Sequence, residues 1–450
     1  MSSSGDAALL IEPRWLLPFA PGMAVLEGHA VSVRAGRIEA VGPVAAMRER
    51  CATHQRIVRE RHALLPGLVA AHTRACHTLL RGIAVRAPRA RWLRETLGPL
   101  ERRALSAELV RDGTRLGVAE MLRAGITCYA DDSPLPAEAA RVAAAAQVRA
   151  LIGLPVSDRA DAWAEDTNSH FARAEALWDE YRSDARIGLY FMPKPAQGVS
   201  DATWSRLRRL ADELDARVAV HLDELEDALG CKLPGAATDE SGVADADPWR
   251  RQPAGSQRLA HLHRLGLLRP GFAAIGALGC HAEDAGLLAR QGAALIGCPQ
   301  AELRLRGAAA TLGASTPSAL GTDTPAAAGA LDLLAEARTA ALLFGLAPLE
   351  VLRLATLGGA MTLGLADEVG SIEAGKSADL ICVDLDVAGC RPVSEVAAAI
   401  VFGATRAQVS DVWSAGRAVV SEARLRLFDE SELASLAARW VQRLALEAAA

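Results

Sequence analysis

Near the start of the chain, apolar and polar residues alternate over short stretches. Leu9, Ile11, Trp15 and Leu17 form one run and Val31, Val33 and Ile38 another, interrupted by Pro21-Gly22 and Gly36. A period of two broken by turn residues predicts strands joined by tight turns. The same grammar returns from Gly370 to Val387, where a polar turn at Glu373-Ala374-Gly375-Lys376 leads into the run Ala378–Val383, and again from Val409 to Val420 around Gly416. Between these ends the pattern changes. Short apolar runs at Gly67–Ala71, Ile126–Tyr129, Ala150–Gly153, Ile187–Phe191, Val218–His221, Ala273–Ala277, Ala294–Ile296 and Ser318–Gly321 predict strands. Stretches of helical period, such as Ala107–Arg123 and Asp201–Leu214, separate them.

Eight strands alternating with helices, with no point where the order reverses, predict an α/β fold: a (β/α)8 TIM barrel. The two β-rich ends predict a small β-sandwich domain built from both termini. The expected division is 1–65 and 366–425 for the sandwich, 66–365 for the barrel and 426–450 for a C-terminal helix. That helix is read from the amphipathic stretch Ser431–Leu446 behind Asp429-Glu430, and Glu240–Gln257, rich in Gly, Pro and charge, predicts a surface loop.

Composition narrows the function classes. The chain has 450 residues, 51% hydrophobic and 23% charged, enough apolar material for a large core. Its formal charge is −5 with the basic residues scattered, which argues against nucleic acid or an anionic membrane surface as partner. The eight cysteines include no C-x-x-C pair, which excludes knuckle or redox spacing and suits a reducing compartment. Met1–Leu10 shows no cationic stretch followed by an apolar one, so no signal peptide is expected, and no apolar run reaches the roughly 18 residues of a membrane span. A soluble cytoplasmic protein acting on a small molecule is the expectation.

In a barrel of this kind, chemistry sits at the C-terminal ends of the strands. Those ends carry His72, then His221 with Glu224, then Asp323. One such histidine alone is more often a satisfied core residue than a ligand. Two imidazoles and a carboxylate at one barrel mouth, however, suit a catalytic divalent ion with an open water position.

The segments Leu65-Pro66-Gly67-Leu68-Val69-Ala70-Ala71-His72-Thr73, Thr78-Leu79-Leu80-Arg81-Gly82, Val110–Leu116, Leu320-Gly321-Thr322-Asp323 and Gly370–Lys376 resemble the amidohydrolase superfamily. The resemblance is to its triazine hydrolase branch, which includes methylthioadenosine and S-adenosylhomocysteine deaminases, and runs from Leu10 to about Trp413. It implies His72, His221 and Asp323 as metal ligands, zinc being the ion expected if the protein is active, and Asp323 as the acceptor of the proton of a bound water. It implies Glu224 as the acid/base that protonates a ring nitrogen; the alternative is a solvated carboxylate of the acidic run Asp223–Asp227. Trp92 falls where the family has a Trp that faces substrate or packs in the core.

The chain also departs from that family. The second histidine of its H-x-H pair is Arg74, which is always protonated and cannot ligate a metal. Gly276 stands at the family's orienting histidine, with His281 five residues on, near the start of the next helix. The P-H-A-P stretch reads Pro193-Lys194-Pro195-Ala196, so Lys194 takes a substrate-binding position. H-C-P-E-S-N reads Gly297-Cys298-Pro299-Gln300-Ala301-Glu302. Cys76 and His77 stand where they either substitute for the lost ligand or merely pack. Two readings follow: a hydrolase of cyclic C–N bonds with an altered metal site, or a non-catalytic paralogue without metal that binds a ligand, self-associates or pairs with an active relative. Arg74 follows His72 by two residues, so in extended chain both point the same way. Its guanidinium is expected to replace the metal, holding Asp323 through a bidentate ion pair rather than turning out to solvent.

Overall fold

The structure, a computed structural model, describes residues 8–22, 24–82, 92–194, 196, 199–222, 256–306 and 315–449. Strands β1 (Leu9–Leu16), β2 (Leu26–Glu27), β3 (His29–Arg34), β4 (Arg37–Pro43) and β5 (Gln55–Pro66) open the chain. Near the other end, β14 (Leu380–Asp384), β15 (Val409–Ser414), β16 (Arg417–Ser421) and β17 (Arg424–Leu425) join them in one nine-stranded sheet, ordered β17-β16-β15-β14-β5-β1-β3-β4 with β2 on β1. All pairs in it are antiparallel except β1 with β5. One face buries Leu9, Ile11, Val31, Val33 and Trp413, as the alternating pattern requires.

The strand β5 runs through Gly67 into β6 (Leu68–Thr73), the first of the second sheet. A Cβ at Gly67 would lie 2.1 Å from Thr127 Oγ1, so only glycine passes here. Then come β7 (Ile126–Asp131), β8 (Arg149–Val156), β9 (Ile187–Pro193), β10 (Arg217–His221), β11 (Phe272–Ile275), β12 (Ala294–Gly297) and β13 (Ala319–Leu320), all parallel and paired in sequence order. Thr73 bridges Asp323, and Thr322 N–H donates to His72 O at 2.8 Å, which closes the barrel. The last strand, Ala319–Leu320, is shorter than predicted, and the chain beyond it lies tight against the His72 backbone. A Cβ at Gly321 would meet His72 O at 2.5 Å.

The barrel and the separate sheet built from both ends agree with expectation. Ala107–Arg123 is helical, capped by Ser106 Oγ accepting from Leu109 N–H at 3.1 Å. Its Gly113 and Gly117 let Ala75–Leu80 press on it: Cβ atoms there would lie 2.2 Å from Cys76 O and 2.7 Å from Ala75 O. The closing helix spans Glu430–Ala449 and lays Leu436 and Trp440 on the core. The loop expected at Glu240–Gln257 lies outside the described residues up to 255. Its last two residues begin the helix Ser256–Arg264, whose helical period outweighs the loop composition before it.

Candidate functional site

Every residue of β6 is buried, which carries His72 on a rigid strand to the barrel mouth. His221 ends β10, and Asp323 lies just beyond β13. The three are 0%, 2% and 1% exposed, and a donor atom from each lies within 4.8 Å of the others. His72 Nε2 is 3.6 Å from Asp323 Oδ1, and the two imidazoles meet edge-on with centroids 4.8 Å apart. Asp323 has φ 48°, a conformation few non-glycine residues adopt and one that clusters at functional sites.

Arg74 is buried and turned inward. It lies closer to Asp132 than to Asp323, with Nη2 2.9 Å from Asp132 Oδ2. Arg74 Nε is 3.7 Å from Asp323 Oδ1, so the expected bidentate pair with Asp323 is corrected to a longer contact. The reason lies in the next strand. Asp132 N–H donates to Thr73 O at 2.8 Å, fixing this carboxylate beside the chain segment that carries Arg74. Lys194 Nζ pairs with the other oxygen of Asp132. Asp131 Oδ1 accepts from Ala75 N–H at 2.7 Å. Burial pushes the Asp131 carboxyl up to about 6, against the downward pull of that hydrogen bond and of Lys194 and Arg74.

His77 is committed elsewhere. Its Nδ1 is 2.8 Å from Thr324 Oγ1 and its Nε2 2.8 Å from Glu101 Oε1. Although burial raises the Glu101 carboxyl, the His77 hydrogen bond brings it below its usual value. Cys76 is in the core, where burial pushes its thiol up. Neither fits a replacement ligand. Trp92 is 1% exposed among Leu80, Leu97, Val110 and Trp440, a placement that fits the packing reading. His281 is the exposed N-cap of the helix Ala282–Arg290, and Gly276 has φ 121°. Glu302 accepts backbone N–H groups of Leu278 and Cys298, at 2.7 and 2.6 Å, holding the seventh strand's loop. Glu224 lies outside the described residues.

By number and spacing, His72, His221 and Asp323 suit a divalent ion. Among the described residues, their surroundings weigh against one. Among them, Arg74 faces both Asp132 and Asp323 and Lys194 pairs with Asp132, so two carboxylates already meet two cations. A dication would add uncompensated charge at low dielectric. Sequence reading missed Asp131, Asp132, Glu101 and Thr324. The consecutive acids Asp131-Asp132, one residue past the run Ile126–Tyr129, were the available signal.

Two histidines and an aspartate at the mouth of a parallel barrel, coupled to a sheet drawn from both ends, define a barrel protein with a candidate metal centre. The chain matches the amidohydrolase family over residues 63–419 and belongs to it. It is 32% identical to the 5-methylthioadenosine/S-adenosylhomocysteine deaminase of Teredinibacter turnerae over 446 residues, 96% of this chain and 97% of that protein. To the enzyme of the same description from Saccharophagus degradans it is 28% identical, over 98% of this chain and 97% of that one. Among solved structures, an adenosine deaminase from Xanthomonas campestris with bound zinc superposes with a TM-score of 0.86 at 35% identity, covering 98% of this chain and 99% of that one. A triazine hydrolase variant shares the fold, with a TM-score of 0.81 at 20% identity over 97% of this chain and 100% of that one. Among the described residues no helix is long and apolar enough to cross a membrane.

Proposed function

We propose that this chain is a paralogue of the adenosine-type deaminases in which a fixed cation, Arg74, takes over charge compensation at the barrel mouth. Hydrolytic deamination is lost or reduced by several decades, and binding of a small nucleoside-like molecule is what the barrel retains. One observation carries this reading: the buried Arg74 guanidinium lies 2.9 Å from Asp132 and 3.7 Å from Asp323, where the family pattern calls for a ligand. Removing one electrostatic group from a transition state costs roughly two to three decades in rate. Here Gly276 and Gly297 depart from the family pattern as well, and Lys194 is held by Asp132.

The second reading, a metal-dependent hydrolase of another cyclic C–N bond, is favoured by the convergence of His72, His221 and Asp323. Ammonia release from methylthioadenosine, S-adenosylhomocysteine and adenosine, with zinc in excess, separates the two. The proposal expects no turnover above background, together with a rise in melting temperature on adding one of these nucleosides. Turnover on the order of 10 per second that disappears in His72→Ala would reverse it in favour of the hydrolase.

A further inference from the structure

A second group of ligating side chains lies in the terminal sheet and shares no residue with the barrel cluster. Glu39 on β4, Cys51 at the end of the helix Val44–Arg50 and His54 just before β5 each offer a donor atom, and these atoms lie within 4.8 Å of one another. Local structure brings them together. Cys51 N–H donates to Met47 O at 2.9 Å and ends the helix, and His54 N–H donates to Cys51 O at 3.0 Å, so one turn carries both. Cys51 is 2% exposed and His54 7%. His54 Nε2 is 3.3 Å from Glu39 Oε2. Its other nitrogen, Nδ1, is buried with no hydrogen-bond partner, a condition that buried ring nitrogens rarely tolerate.

We propose that Glu39, Cys51 and His54 bind a thiophilic divalent cation of the zinc type, with one coordination position left to water. Zinc takes sulfur at about 2.3 Å and nitrogen or oxygen at about 2.0–2.2 Å, so tetrahedral donors stand roughly 3.3–3.6 Å apart. The three donors, now within 4.8 Å of one another, would have to close by about 1 Å to reach that spacing. On binding, the S–H bond of Cys51 breaks, the proton leaves to solvent and the sulfur lone pair forms the metal–sulfur bond; the ion keeps its oxidation state. The ion ties β4, the helix and the entry to β5 into one unit.

Arg34 works against the ion, with Nε 3.3 Å from Glu39 Oε1 and Nη2 3.5 Å from His54 Nε2. It differs from Arg74 in one respect that decides the outcome. The Arg34 side chain is 57% exposed and can swing into water, whereas that of Arg74 is 8% exposed and held by Asp132. One cation is displaceable and the other is not.

Cobalt(II) titration of the full-length chain tests this, read by the near-ultraviolet thiolate-to-cobalt charge-transfer band, to which His72, His221 and Asp323 cannot contribute. The expected result is a band that saturates at one equivalent and is abolished by Cys51→Ser and by excess zinc. It should need about tenfold or more cobalt in His54→Gln, where one of three ligands is lost, and less cobalt in Arg34→Ala. It should survive the double substitution His72→Ala, Asp323→Asn. No band in the unaltered chain, or a full band in Cys51→Ser, overturns the proposal. If Cys51→Ser does not fold, X-ray absorption of the zinc-loaded chain decides: a sulfur neighbour at about 2.3 Å supports the site and an all-nitrogen-and-oxygen shell overturns it.

Discussion

Replacing Arg74 by His removes a buried cation and supplies an imidazole in its place. An ion held by His72, His221 and Asp323 would sit about 2 Å from Asp323 Oδ1. Arg74 Nε lies 3.7 Å from that same oxygen. Taking the guanidinium charge at about 5 Å from the ion, two charges against one repel by about 7 kcal/mol at an effective dielectric near 20. Asp132, 2.9 Å from Arg74 Nη2, offsets part of this, and Lys194 on the same carboxylate restores part. Half the bare figure, about 3 kcal/mol, corresponds to more than two decades in affinity before the new imidazole is counted. Arg74→His should therefore tighten zinc binding at the barrel by at least about a hundredfold. Competition against a chromophoric chelator measures it, on a Cys51→Ser background so that only the barrel is read, with His72→Ala as control. Deamination is not expected to return with the metal, because Gly276, Lys194 and Gly297 remain. An unchanged affinity refutes the reasoning. So does a chain that already holds zinc before Arg74 is replaced and loses it in His72→Ala.

Two further outcomes concern stability. Asp131 holds its proton more tightly in the folded chain, near 6 against an ordinary 3.8, so its contribution to stability falls as pH rises through that window. Relative to the unaltered chain, Asp131→Asn should gain up to about 3 kcal/mol between pH 4 and 7, read from urea midpoints; a constant difference across that range would count against a raised Asp131. In Gly113→Ala, the new Cβ would meet the backbone oxygen of Cys76 at 2.2 Å. The cost should be about 1–3 kcal/mol, despite the better helix propensity of Ala, and a more stable variant by denaturant melt would show that the Ala75–Leu80 segment yields freely.

Much of the molecule was legible along the chain because its signals are local. Period-two runs at both ends, and eight short apolar runs separated by helical stretches, depend only on which side of each element meets the core. His72, His221 and Asp323 were legible for a related reason: in a parallel barrel every strand's C-terminal end reaches the same rim, so strand ends can be read as neighbours. The inward turn of Arg74 followed from its spacing to His72 along extended chain. Its partner did not. Asp132 directly follows the neighbouring strand, and its register against Thr73, set by a backbone hydrogen bond, decides which carboxylate the guanidinium reaches first. The same holds for Lys194, which meets that carboxylate from the far side, and for His77, which is drawn to Glu101 and Thr324. Glu39, Cys51 and His54 likewise carry no motif in sequence; a helix end folded back on a strand makes them neighbours. Composition and period determine which elements form, because burial acts on each residue separately. Which charges pair is a property of distances between elements, and only the tertiary structure decides those.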